Sequence, residues 1–119
     1  IRNTYNEYNY VLDPHTAVGK WVYDVYKKET GDKRKTVLVS TASPYKFTYD
    51  VLRAIIGEDS IKDKNEFTLL DILSDICCKQ IPDGLKNLES KPVLHDTSCT
   101  REDMKQVVFK FLGLDGMEK

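Results

Sequence analysis

Thr36-Val37-Leu38-Val39-Ser40-Thr41-Ala42-Ser43-Pro44-Tyr45-Lys46-Phe47 reads as a short apolar run that turns directly into a helix start. Val37 and Val39 are β-branched, and Leu38 between them is apolar as well. That predicts a strand over 36–40 buried on both faces. Ser43 before Pro44 is helix-opening grammar: the hydroxyl accepts from an orphan first-turn amide, and proline lacks only an N–H that would go unpaired. Beyond it, Phe47, Val51, Leu52, Ile55 and Ile56 form an inner face at intervals of three and four, closed by Gly57.

The same grammar recurs on both sides of this stretch. Upstream, Ile1, Tyr5 and Tyr8 have the spacing of a short helix. Asp13-Pro14 then opens a longer one, with Ala17, Val18, Trp21, Val22, Val25 and Tyr26 as its apolar stripe, Lys27 and Lys28 at the negative end of its dipole, and Gly31 as its stop. Downstream, the charge-dense 57–64 reads as a solvated loop. Phe67 to Cys78 predicts a helix facing the core through Leu69, Leu70, Leu73, Ile76 and Cys77, and Pro82 and Gly84 end it. Pro92-Val93-Leu94 could add a short edge strand. Thr100 with Asp103 resembles a capping box, ahead of a last face of Met104, Val107, Val108, Phe111 and Leu112 and then Gly113. The predicted fold is therefore helix-rich α/β, about five helices around one or two strands, with 1–119 read as a single piece.

Composition narrows the function. The 119 residues carry 18 Lys and Arg against 19 Asp and Glu, a formal charge of −1 with no basic block, which argues against a phosphate-neutralising, nucleic-acid-binding surface. With 31% charged residues, no apolar run approaches the roughly 18 residues that span a bilayer, so no membrane segment is expected. Cys77 and Cys78 are adjacent and Cys99 stands apart. Such an odd, badly spaced set suits a reducing compartment, and the expected location is cytoplasmic. The chain begins at Ile1 without a targeting pattern, which reads as a cut end.

One predicted strand among five helices is a physical problem. Each unpaired buried backbone group costs roughly 1 to 3 kcal/mol. Four or five of them exceed much of the usual net stability of about 5 to 15 kcal/mol. Either a second strand exists or a partner supplies one.

The candidates for chemistry are few. Ser40 and Thr41 stand at the C-terminal end of the predicted strand, where open α/β sheets bind ligands. The alternative is that Ser40 and Thr41 satisfy a turn and Ser43 caps a helix, and spacing alone leaves both open. His15, His95, Asp96 and Cys99 can be drawn as a nucleophilic set or a metal site, yet no pair has zinc-ligand spacing, so no metal is expected. Lys46 reads as a solvated lysine in a first helical turn, and Cys77 as a small core residue.

Two strings carry more than local grammar. Tyr10-Val11-Leu12-Asp13-Pro14-His15-Thr16-Ala17-Val18-Gly19 and Val37-Leu38-Val39-Ser40-Thr41-Ala42-Ser43-Pro44-Tyr45-Lys46-Phe47 resemble the C-terminal part of threonine synthase. The second departs mildly from the commoner form, which has His where Ser43 stands and often Ala at Tyr45. Ile81-Pro82-Asp83-Gly84-Leu85 and Lys91-Pro92-Val93-Leu94-His95-Asp96 are similar to the family's tail. The resemblance implies a C-terminal piece of a fold-type-II enzyme that uses pyridoxal 5′-phosphate (PLP) to convert O-phosphohomoserine and water to threonine and phosphate.

It further implies that Thr41 is the cofactor-binding residue, contacting the pyridine nitrogen, with His15 and Thr16 in supporting roles. The family's cofactor-bearing lysine and phosphate loop have no counterpart here, so the piece alone is expected to be inactive and, with strand edge and apolar surface uncovered, to self-associate. Two alternatives stand beside this reading. One is a threonine-synthase-like phospho-amino-acid lyase. The other is a non-catalytic helical module that binds a protein partner.

Overall fold

The computed structural model describes residues 1–114, and its contacts divide the chain into two compact units, Ile1–Glu89 and Ser90–Lys119. In the first unit, α1 (Arg2–Tyr8) ends at Asn9, which takes the left-handed conformation and returns its N–H to the Tyr5 carbonyl. The guanidinium Nε of Arg2 donates to the Ala54 carbonyl at 2.6 Å.

Asp13 opens α2 (Pro14–Thr30) by accepting from the amides of His15 and Thr16. Gly31 closes it with φ +66°, a conformation that lets its N–H reach the Lys27 carbonyl and that a side chain would strain. After 32–43 come a 3-10 turn (Pro44–Phe47), α3 (Thr48–Ile56), a second 3-10 turn (Glu58–Ser60) and α4 (Glu66–Cys77), whose Asn65 cap accepts from the Thr68 amide at 2.8 Å.

The core lies where α3 meets α4. Val51 and Leu52 from α3 pack with Leu69, Leu70 and Leu73 from α4, with Tyr45 and Ile61 completing the cluster. Tyr45 brings a polar tip into this apolar site, and its hydroxyl donates to the Lys79 carbonyl at 2.8 Å. The start of this helical stretch is held by Ser43, whose Oγ accepts from the Tyr45 amide at 3.3 Å. Ser43→Ala is expected to cost about 1 kcal/mol with the fold retained, read as a small shift in the urea midpoint.

The helix-rich architecture and all five predicted helices are present, and three expectations are corrected. No strand occurs among the described residues: 36–40 is irregular, with Val37 87% exposed, and Val93 and Leu94 are exposed and unladdered. A ladder needs a second run at its flank, and the described chain offers none. The loop 57–64 is not wholly solvated, because the second 3-10 turn folds Ile61 into the core at 1% exposure. The stripe of α2 does not face inward. Among its residues only Thr16 is buried, while Val18, Trp21, Val22 and Tyr26 are exposed, Trp21 by 67%.

In the second unit, the Thr100 hydroxyl donates to the Asp103 carboxylate at 2.7 Å and accepts from the Asp103 amide at 3.4 Å, just ahead of α5 (Met104–Phe111); the second bond is one half of the expected capping box, while the short carboxylate takes the Thr100 hydroxyl in place of its amide. Gly113 at φ +69° and the Leu114 amide, bonded to the Phe109 carbonyl at 2.8 Å, close the helix. Its expected inner face is largely exposed at Met104, Val108, Phe111 and Leu112.

Candidate functional site around Thr41

The site is built from the start of α2 upward. Asp13 is 1% exposed, although a carboxylate serving only as a helix cap has no need of burial. Its Oδ1 accepts from the His15 amide at 3.0 Å and the Thr16 amide at 3.3 Å. Its Oδ2 accepts from the Thr16 hydroxyl and, across 27 residues, from the Ser40 hydroxyl at 3.1 Å. The Thr16 and Ser40 oxygens are themselves 3.0 Å apart. Two hydroxyl protons thus serve three close oxygen pairs, so the group is a closed triangle with one edge at a time lacking a proton.

Burial alone would raise the pKa of Asp13. The bonds from the Thr16 hydroxyl and amide, the Ser40 hydroxyl and the His15 amide outweigh it and leave the carboxyl below its ordinary value.

His15 stands over this cluster. Its Nδ1 lies 3.3 Å from Asp13 Oδ1, and its ring meets that of Phe47 at 5.0 Å between centroids, tilted by 56°. Next to it is a recess of about 120 Å³ lined by His15, Thr16, Gly19, Leu38, Val39 and Thr41. Thr41 is exposed at the recess, immediately after the tethered Ser40. The two strings singled out in the sequence therefore meet at one place. Thr41 lines neither of the two larger cavities, of about 330 and 320 Å³, which open beside Tyr45.

The other candidates fall elsewhere. Lys46 is exposed and lines a different cavity from Thr41. Burial pushes the Cys77 thiol up, Lys79 lowers it less and Cys78 adds to the rise, which makes Cys77 a poor nucleophile. His95, Asp96 and Cys99 are exposed in the second unit. Among the described residues, no group of three or more His, Cys, Asp or Glu is placed to hold a metal ion, and no helix is long and apolar enough to cross a membrane.

What sequence reasoning missed is the joint role of Asp13 and Ser40. Asp before Pro is an ordinary cap signal, and nothing local links it to a serine so far along the chain.

Over 67 residues, 56% of this chain, the sequence is 42% identical to "Threonine synthase-like 1" of Macaca fascicularis and 40% identical to the protein of the same name from Homo sapiens. Over this stretch the chain is similar to threonine synthase-like proteins. The matched stretch spans 8% of each relative's length. No family model matches the chain, and no solved structure does.

Proposed function

We propose that the chain is a C-terminal portion of a PLP-dependent threonine synthase, acting on O-phosphohomoserine and water to give threonine and phosphate, in which Thr41 meets the nitrogen edge of the cofactor ring. The observation that carries this reading is the convergence of His15, Thr16 and Gly19 from one family-like string with Leu38, Val39 and Thr41 from the other on a single recess. Its volume of about 120 Å³ is well short of the roughly 300–1,000 Å³ of a pocket that encloses a small-molecule ligand, room for an edge of a ring and not for a whole cofactor. The chain would therefore supply one wall, and none of the lining residues is a lysine.

When bound, PLP supplies the electron sink that carbanion chemistry at the substrate requires. Thr41 would offer the ring nitrogen a neutral hydroxyl, which does not hold that nitrogen protonated as a carboxylate would. Leu38 and Val39 would keep water from the ring edge, while Gly19 adds no side chain to the floor.

The test begins with the absorbance of the chain mixed with PLP and a phosphate-release assay on O-phosphohomoserine. The expected result is neither a stoichiometric cofactor band nor phosphate. A tight band with turnover would place the cofactor's lysine on this chain, with Lys46 the first suspect, and overturn the assignment. In the longer enzyme, Thr41→Val is expected to shift the cofactor band and cut turnover roughly 10- to 100-fold, the effect of losing one strong hydrogen bond. Unchanged spectrum and rate would remove Thr41 from the site. Phosphate release without threonine would instead favour the lyase.

Self-association of the free chain belongs to the same proposal. The open stripe of α2, with Val18, Trp21 and Val22 exposed, is more apolar surface than one helix ordinarily leaves in water. At rising concentration, light scattering should detect species heavier than 13.7 kDa, with Trp21 emission moving to the blue. A monomer with unshifted emission throughout would count against it.

A further inference from the structure

We infer that Asp13 is the positioning residue for Thr41, tying the segment that carries it, through the Ser40 hydroxyl, to the first turn of α2. The inference deepens the cofactor-site reading and rests on it for its functional meaning, while the tether itself stands on geometry alone.

Capping α2 occupies only Oδ1 of Asp13, which takes the amides of His15 and Thr16. Oδ2 is directed to the hydroxyls of Thr16 and Ser40, a use that a helix cap does not require. Ser40 gains little hold on its surroundings by other means. The residues before it form neither helix nor ladder, Val37 and Val39 are exposed, and its other contacts are the Thr16 hydroxyl at 3.0 Å, itself held by Asp13, and a long one of 3.4 Å to the Ala42 carbonyl. Thr41 is one peptide further on, with its Cα about 3.8 Å from that of Ser40. Where Ser40 is pinned, the Thr41 hydroxyl has a defined place beside His15 and Thr16. Released, the same residue samples solvent. Burial of Asp13 serves this purpose, because water in the cluster would compete for Oδ2.

The test uses the isotopically labelled chain and needs no cofactor. In wild type, the backbone order parameter of Thr41 should be near the rigid value of about 0.85 and, in Ser40→Ala, should fall below about 0.6. Amides of α2 from Ala17 to Lys20 should keep their values, since Oδ1 still caps the helix. Ser40→Thr, which keeps the hydroxyl, should restore order. Asp13→Ser keeps a capping oxygen and removes the second one, so it should lower the Thr41 value as well, by less than Ser40→Ala does, because the Thr16 and Ser40 hydroxyls still meet at 3.0 Å. If Asp13→Ser also melts α2, Ser40→Ala still decides. Thr41 equally ordered in Ser40→Ala and wild type would overturn the inference.

A second arm separates the tether from its functional meaning. In the longer enzyme, Ser40→Ala should move the cofactor band in the same direction as Thr41→Val, and Ser40→Thr should bring it back. A silent Thr41→Val together with lost order in Ser40→Ala would refute the cofactor-site reading and leave the tether intact. A band that responds to Thr41→Val and not to Ser40→Ala would refute the positioning role.

Discussion

Leu52→Ala is expected to lower the unfolding free energy of the chain by about 2 to 5 kcal/mol, the cost of emptying a fully buried leucine site that its neighbours cannot collapse to fill. Leu52 has no exposed surface, and its neighbours Val51, Ile61 and Leu73 are buried to within 1%. The core that holds α3 against α4 is small, and small units have little stability in reserve. Urea denaturation should show the midpoint falling steeply, with much of the population unfolded before denaturant is added.

Trp21→Ala on α2 is the control. In dilute monomer it removes a larger side chain that is 67% exposed and should change stability by less than about 0.5 kcal/mol. Equal costs at the two sites would mean that the α2 stripe, and not the α3 and α4 contact, carries the core.

Asp13→Ala ranks second. It removes the N-cap of α2, worth about 1 kcal/mol. It also strands the Thr16 and Ser40 hydroxyls, which keep each other at 3.0 Å and so recover part of the loss. A total of about 2 to 3 kcal/mol is expected at neutral pH.

Its pH dependence has a definite sign. Asp13 is held below its ordinary carboxylate value in the folded chain, so the folded state binds the proton less readily than the unfolded one. The stabilisation is therefore complete above the unfolded pKa and is lost as pH falls through the depressed folded value. The gap in unfolding midpoint between wild type and Asp13→Ala should be widest at neutral pH and close in acid. Asp32 titrates in the same region, held at about 2 first of all by the Arg34 side chain, but it is common to both proteins and cancels in the difference. A gap that stays constant into acid would mean that Asp13 acts by packing and not by charge.

The helices were legible because their signals are local. Asp13-Pro14 and Ser43-Pro44 mark starts, and Gly31 and Gly57 mark stops, all through hydrogen bonds that close within four residues; the Asn65 cap of α4 carried the same kind of local signal and was passed over. Local signals also carried Leu69, Leu70 and Leu73 into the core at their helical spacing. The strand at 36–40 was misread for the complementary reason. β-branched composition suits a pleated surface, but a strand exists only when another backbone supplies the ladder, and composition holds no information about that second segment. Ile61 was misread because its neighbours are charged, whereas the second 3-10 turn rotates this one residue inward.

At the site, the division follows range. Thr41 was named from the strand-end position and the family-like string, and Asp13 was recognised as a cap, each from its immediate neighbours. That Asp13 reaches Ser40 across 27 residues and so brings His15, Thr16 and Thr41 to one recess was decided by the tertiary structure alone. The sequence by itself determined the helices, their caps and most of the apolar contact between α3 and α4, because those depend on bonds and spacings closed within a turn or two. Only the tertiary structure decided that the α2 stripe is left open, that Ile61 is core and that a buried carboxylate bonds the Ser40 hydroxyl beside Thr41, because burial and long-range hydrogen bonding depend on which distant residues arrive at the same point in space.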